Sequence, residues 1–160
     1  MKKPLWKPTE LKKKNSILAD FAKFINFKSE YNFKDLWKWT IENPEEFWTY
    51  FWDYSKIKGD KGKEVIQYNK VFNKTKFFPD SKINYAENIL KKKTDDIAIH
   101  FLSEKGFEES ISWNKLYEKV CKFSGYLKTL HLKKGDRVAA YVPNKIESVI
   151  SFLACAKNGI

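Results

Sequence analysis

Arginine is nearly absent from this 160-residue chain: Arg137 is the only one among 31 basic residues. The net charge of +11 raises the question of a polyanionic partner. Nucleic-acid readers, however, rely on arginine's bidentate fork to guanine and phosphate. Lysine, asparagine, isoleucine, phenylalanine and tyrosine are plentiful instead, all encoded by A/T-rich codons, so a compositional bias accounts for the charge without a polyanion. Cysteine is scarce as well. Cys121 and Cys155 alone exclude a disulfide framework of the secreted kind and suit a reducing, cytoplasmic compartment. Long apolar runs are missing: none is longer than Val138-Ala139-Ala140-Tyr141-Val142, against the roughly 20 residues of a membrane-spanning helix. No membrane partner is expected, and with no apolar stretch behind the lysine-rich start, no signal peptide either. The six glycines, Gly59, Gly62, Gly106, Gly125, Gly135 and Gly159, lack the spacing of a phosphate loop or a dinucleotide-binding turn. His100 and His131 are the only histidines, and neither has a cysteine at ligand spacing, so no metal site is expected.

Aromatic residues are abundant. Six Trp, eight Tyr and thirteen Phe, in a chain that is 42% hydrophobic, supply ample core and exclude a wholly disordered protein. No internal repeat or flexible linker stands out, but the texture changes near residue 94. Before it, Ser16 caps a short helix carrying Ile17, Phe21, Phe24 and Ile25, and Phe33, Leu36 and Trp37 suggest another. Asn43-Pro44-Glu45-Glu46 then opens a third: Asn43 is expected as its cap, proline suits the first helical position, and the acids face the positive end of the dipole. Phe47, Trp48, Phe51, Trp52 and Tyr54 follow. Val65 to Phe72 reads as a strand and Phe77-Phe78-Pro79-Asp80 as a turn.

After residue 94 the pattern is plainer. Ile97 to Leu102 reads as a strand, Lys105-Gly106 as a hairpin turn, and Glu109 to Trp113 as the returning strand. Ser112 or Trp113 starts a long helix with an expected buried stripe of Leu116, Val120, Phe123, Leu127 and Leu130. Lys133-Lys134-Gly135-Asp136 ends it. Arg137 to Val142 lacks polar alternation, which predicts a central strand covered on both faces, with Arg137 as a structural ion pair or cap at its start. A helix with Ile146, Val149, Ile150, Leu153 and Ala156 facing inward runs to a stop at Gly159. Helix, strand and helix with short connections begin a doubly wound α/β sheet. A central strand followed by one helix leaves an open sheet edge, which predicts a chain cut within a domain.

No residue pattern declares chemistry. Cys121 and Cys155 read as small core residues, Glu45 and Glu46 as helix-start acids, and the tryptophans as packing residues recurring at helical spacing. Lys91-Lys92-Lys93 reads as a solvated run. An alternative of another class is a small lysine- and tryptophan-rich module that stacks and neutralises single-stranded nucleic acid.

The wording of several segments is more informative. Phe77-Phe78-Pro79-Asp80-Ser81-Lys82-Ile83-Asn84-Tyr85-Ala86-Glu87-Asn88-Ile89-Leu90 resembles the WFPGxxLNYAENLL signature of acetoacetyl-CoA synthetases, within the AMP-forming acyl-activating superfamily. Acetyl-CoA synthetases carry a related segment with a Tyr-Asn pair and a later Arg-His, so Tyr85-Ala86-Glu87-Asn88 favours the acetoacetate branch. Leu5-Trp6-Lys7-Pro8 with Phe21-Ala22-Lys23-Phe24 looks like that family's N-terminus. Asp35-Leu36-Trp37-Lys38-Trp39-Thr40 and Pro44-Glu45-Glu46-Phe47-Trp48 resemble its LWxWSV…PExFW block. Ile111-Ser112-Trp113-Asn114-Lys115-Leu116 is similar to the superfamily's first adenylation-domain core motif. Gly135-Asp136-Arg137-Val138-Ala139-Ala140-Tyr141-Val142-Pro143-Asn144 resembles its GDRVAAYxPN strand, and Leu153 to Gly159 the opening of the second core motif. Phe77, Asp80 and Ile160 depart from the usual Trp, Gly and Ala.

The resemblance implies an α/β protein, α+β in appearance over this portion. A helical, aromatic-rich N-terminal region (1–93) would precede the first β-hairpin and α-β-α units of a truncated adenylation domain (94–160). It implies an acetoacetate–CoA ligase whose substrates are ATP, acetoacetate and CoA, with Mg²⁺. Another short-chain ligase, for acetate or propionate, is the near alternative. The phosphate loop, nucleotide contacts and catalytic lysine of the family lie further along, so no catalytic, cofactor-binding or metal residue is assigned here. The segment is expected to bind no cofactor alone, to be inactive alone, and to have the C-terminal remainder of the same polypeptide as its partner.

Overall fold

A computed structural model describes residues 5–28 and 32–160; residues 1–4, with Lys2 and Lys3 of the lysine-rich start, and residues 29–31 lie outside the described residues. The helices are α1 (Glu10–Lys14), α2 (Ile17–Phe24), α3 (Phe33–Glu42), α4 (Pro44–Tyr54), α5 (Tyr85–Ile89), α6 (Trp113–Thr129) and α7 (Ile146–Asn158). The strands are β1 (Gly59–Asp60), β2 (Ile66–Gln67), β3 (Lys76–Phe77), β4 (Lys82–Ile83), β5 (Ile97–Leu102) and β6 (Glu108–Ser112). They pair antiparallel as β1 with β4, β2 with β3 and β5 with β6. The mixture of helix and strand agrees with the expected α/β class in its α+β appearance. Two compact units result. One takes the chain up to Ile57 and Gly62–Asp80; the other takes Lys58–Lys61 and Ser81–Ile160.

In the first unit, capping sets the helix starts. Ser16 accepts from the Ala19 N–H at 3.2 Å to open α2, and Asn32 forms a reciprocal capping box with Asp35 to open α3. Such exchanges satisfy N–H groups that a first turn leaves orphaned. Pro44 occupies the first position of α4, while the Asn43 amide turns back to donate to Trp39 O. The core is aromatic. Phe21 meets Phe47, Phe51 and Tyr54 edge-on at centroid distances of 5.2 to 6.3 Å, and Leu36 and Trp52 are also buried. Ile17 and Phe24, expected on the inner face of α2, are exposed.

The expected strand over Val65–Phe72 shrinks to Ile66–Gln67. The Asn69 side chain accepts from the Val71 N–H at 2.9 Å, and the Asn69 N–H donates to Thr75 Oγ1. These local bonds divert the backbone from a ladder into a 3₁₀ turn at Phe72–Lys74.

The second unit holds the larger core. Leu116, Val120 and Leu127 of α6 pack with Ile146, Ile150, Leu153 and Ala154 of α7, joined by Ala86, Leu90 and Ile111. Ser112 caps α6 as expected, and Gly159 closes α7 in the left-handed conformation (φ 74°) that glycine adopts without a Cβ clash. The expected stripe is corrected at Leu130, which lies beyond the end of α6 and is exposed. Ser124 is the buried residue at that end. Its hydroxyl donates to Asn158 Oδ1 at 2.8 Å, and the Asn158 amide donates to Ser124 O at 3.0 Å. Val149, expected to face inward, is on the open side of α7.

Arg137–Val142 is not a strand. A strand exists through its ladder, and no described segment pairs with this one. Val138, Tyr141 and Val142 are exposed. Arg137, expected to make an ion pair or cap, is also exposed and joins no carboxylate among the described residues.

The β1–β4 pairing depends on Gly59 (φ +144°), where a Cβ would sit 2.6 Å from Lys82 O and 2.7 Å from Ile83 Cγ2. Gly59→Ala is therefore expected to destabilise this pairing by roughly 1–3 kcal/mol, read as faster amide exchange at Gly59–Asp60 and Lys82–Ile83.

Candidate functional site

The segment 77–90, richest in recognisable wording, is built into both units by structural bonds. Within the first unit, Phe77 and Phe78 lie against Trp48 and Trp52, each pair 4.9 Å apart between centroids. The Pro44–Trp48 block and the Phe77–Asp80 turn thus meet. Within the second unit, Asn84 caps α5 by accepting from the Glu87 N–H at 3.0 Å. Its amide nitrogen donates to Ala156 O at 2.8 Å, at the C-terminal end of α7. Asn88 accepts from the Lys58 N–H at 2.8 Å and donates to Lys58 O at 2.9 Å, replacing a strand neighbour for the backbone before β1. Ala86 and Leu90 are buried in the core of this unit. Every polar group of this motif with a recorded bond is engaged by backbone.

The sequence singled out several other residues. Glu45 and Glu46 lie in the first turn of α4, where the dipole favours acids. Cys121 and Cys155 are half-buried free thiols. Cys121 hydrogen-bonds the Tyr117 hydroxyl one turn earlier, which raises the phenol's pKa and keeps it neutral. His131 takes a positive φ of 56° just past α6. Hydrogen bonds and charge from Lys115 and Lys122 hold Glu118 at a pKa of about 2 on the exposed face of α6. Among the described residues no three His, Cys, Asp or Glu side chains gather in a way that could hold a metal ion.

One arrangement escaped the sequence. His100 Nδ1 lies 2.9 Å from Ser110 Oγ, and Nε2 lies 2.9 Å from Glu108 Oε1. Hydroxyl, imidazole and carboxylate in a row is how nucleophiles are activated. Here the cause is the hairpin, which sets His100 opposite Ser110 and Leu102 opposite Glu108. All three side chains are exposed, whereas acyl transfer needs preorganised donors in a water-excluding site. The row is a cross-strand pairing. Only the β5–β6 register, invisible in linear spacing, would have revealed it.

Two hollows are each bordered by four lysines. In the first unit, a cavity of about 630 Å³ borders Lys13, Lys14, Lys23 and Lys28. Three of these are paired, with Glu10 at 2.6 Å, Asp20 at 3.9 Å and Asp35 at 3.3 Å. In the second unit, a cavity of about 400 Å³ gathers Lys58, Lys91, Lys93 and Lys157 with Glu87, Asn84 and Tyr117. Lys91 and Lys93 belong to the run read as solvated; its middle member, Lys92, pairs with Asp96 at 2.8 Å instead.

Comparison with known proteins agrees with this architecture. The profile of the family described as "AMP-binding enzyme" matches residues 86–160. The acetoacetyl-CoA synthetase of Macaca fascicularis is 31% identical over 162 residues, which cover 97% of this chain and 24% of that protein. The acetyl-coenzyme A synthetase of Desulfatibacillum aliphaticivorans is 37% identical over 135 residues, covering 75% of this chain and 19% of that protein. The solved structure of acetoacetyl-CoA synthetase from Streptomyces lividans superposes with a TM-score of 0.84 at 23% identity. It covers 99% of this chain and 26% of that one, and so shares its fold. The chain spans about a quarter of the length of the relatives it matches. Residues 86–160 thus match the AMP-binding enzyme family, and the similarity to acetoacetyl-CoA synthetases runs along nearly the whole chain.

Proposed function

We propose that this chain is the N-terminal part of an AMP-forming acid–thiol ligase acting on acetoacetate, and that it serves that enzyme as scaffold. In the reaction, the acetoacetate carboxylate attacks the α-phosphorus of ATP, forming acetoacetyl-adenylate and releasing pyrophosphate. The CoA thiolate then attacks the acyl carbon and displaces AMP, leaving acetoacetyl-CoA. Mg²⁺ and cationic groups would neutralise the phosphates. No step is assigned to a residue of this chain.

The observation that carries the scaffold reading is the use made of Asn84 and Asn88. Both side chains of the motif are spent on backbone, holding α5 to α7 and to Lys58. The division into a helical region (1–93) and an adenylation-domain start (94–160) belongs to the same proposal. So does a role for the open side of the second unit. A cleft of about 480 Å³ there is bordered by Val138, Val142 and Phe152, which the remainder of the polypeptide would cover. A nucleic-acid module has less support, because Trp39, Trp48 and Trp52 pack on Phe47, Phe77 and Phe78 rather than forming a stacking platform.

A second reading keeps the chemistry and changes the acid, since an acetyl-CoA synthetase stands among the relatives. A substrate panel on the full-length protein decides. AMP release with ATP and CoA is expected to be fastest with acetoacetate, and a preference for acetate or propionate would establish the second reading. Residues 1–160 alone are expected to release no AMP above background; turnover by this chain would overturn the scaffold role.

A further inference from the structure

The lysine cavity of the second unit differs from the other lysine-lined hollow in a way that points to a ligand. Lys58 precedes β1, Lys91 and Lys93 follow α5, and Lys157 lies in the last turn of α7. Three separate stretches of chain therefore bring four ammonium groups to one concavity, whose only carboxylate among the described residues is Glu87. No ion pair joins Lys58, Lys93 or Lys157 to a carboxylate among the described residues.

Lys93 and Lys157 lie 4.4 Å and 5.9 Å from the centroid of the same Tyr117 ring. Their mutual separation cannot exceed the sum of these distances, so two like charges are held near each other. Attraction to the ring offsets part of that repulsion, and the Tyr117 hydroxyl stays neutral beneath them. The ordinary duty of a lysine in a last helical turn is to meet the terminal carbonyls. At α7 the Asn84 amide already takes Ala156 O at 2.8 Å and reaches Lys157 O at 3.4 Å. Lys157 is left to face the cavity.

We propose that this cavity binds a compact polyanion bearing two or more phosphate charges. A concavity of about 400 Å³ falls in the size range of small-molecule sites. Its cations are spread around a rim, so a ligand with charges on more than one phosphorus engages several of them, where a single phosphate engages fewer. The Asn84 cap and Asn88 clamp fix α5 and the backbone of Lys58, which gives the rim a set shape. This site is independent of the ligase reading: its failure would leave that reading intact, and the reverse holds too.

The test is calorimetric titration of the purified chain with inorganic pyrophosphate, with orthophosphate as comparator. Saturable 1:1 binding is expected, stronger for pyrophosphate and weakening as salt rises from about 50 mM to about 200 mM. The Lys93→Ala/Lys157→Ala double variant is expected to bind at least about tenfold more weakly. Lys34→Ala/Lys70→Ala, which removes the same charge from outside the cavity, is expected to leave affinity unchanged. Glu87→Gln, which removes the cavity's one carboxylate, is expected to tighten binding. Equal weakening by the two double variants, binding without saturation, or unchanged or weaker binding by Glu87→Gln would overturn the proposal.

Discussion

Leu116→Ala is expected to destabilise the α6–α7 layer by about 2–5 kcal/mol. Leu116 is 2% exposed and packs in one cluster with Val120 (0%) and Ile146 (1%), the other two of the three largest fully buried side chains among the described residues. Truncation removes the transfer energy of the lost carbons and leaves a cavity that helices packed on both sides cannot collapse. Leu130→Ala, at 49% exposure, is expected to change stability by no more than about 0.5 kcal/mol. Both leucines lie on one stripe by spacing, so the pair separates periodicity from packing. Amide exchange of α6 and α7 reads each variant locally. Similar losses at both positions would mean that the stripe, with Leu130 included, describes the buried face.

Asn84→Ala carries the second large effect, a loss of roughly 2–3 kcal/mol. About 1 kcal/mol comes from the missing cap on the Glu87 N–H. The remainder comes from the lost amide bond to Ala156 O, which then keeps only the Gly159 N–H at 3.1 Å. Asn84→Asp divides the two terms. Its carboxylate still accepts at the start of α5 but cannot donate to α7, so about half the loss is expected. Full loss in the Asp variant would place the whole effect on the α7 bond, and none would place it on the cap.

These predictions trace what was legible in the chain. Local signals were reliable where one side chain decides: Ser16 and Ser112 as caps, Pro44 as a helix start, Gly159 as a stop. Each acts within a turn of itself, so sequence neighbours carry the information. Errors arose where long-range pairing decides. Arg137–Val142 has the composition of a buried strand, but composition supplies no ladder partner. Leu130 continued the period of α6 by arithmetic, while the helix had ended at Thr129. Asn69 broke an expected strand by a bond to its own neighbourhood, the kind of competition that asparagine introduces. The segment 77–90 was legible as wording, yet its work was not, because Asn84 and Asn88 reach partners 72 and 30 residues away. The lysine cavity was hidden for the same reason. Lys58 and Lys157 come from opposite ends of this unit's sequence, and only the folded chain brings them to one cavity with Lys93.

The central claim is that the motif around Asn84 supports the enzyme rather than reacting in it. The direct measurement compares full-length protein with its Asn84→Ala variant, scoring thermal unfolding beside kcat and KM for ATP, acetoacetate and CoA. The account predicts a lower unfolding temperature, with kcat and all three KM values of the folded variant within about twofold of the parent. An unchanged unfolding temperature with kcat reduced by about tenfold or more would contradict it and move Asn84 from the scaffold into the reaction.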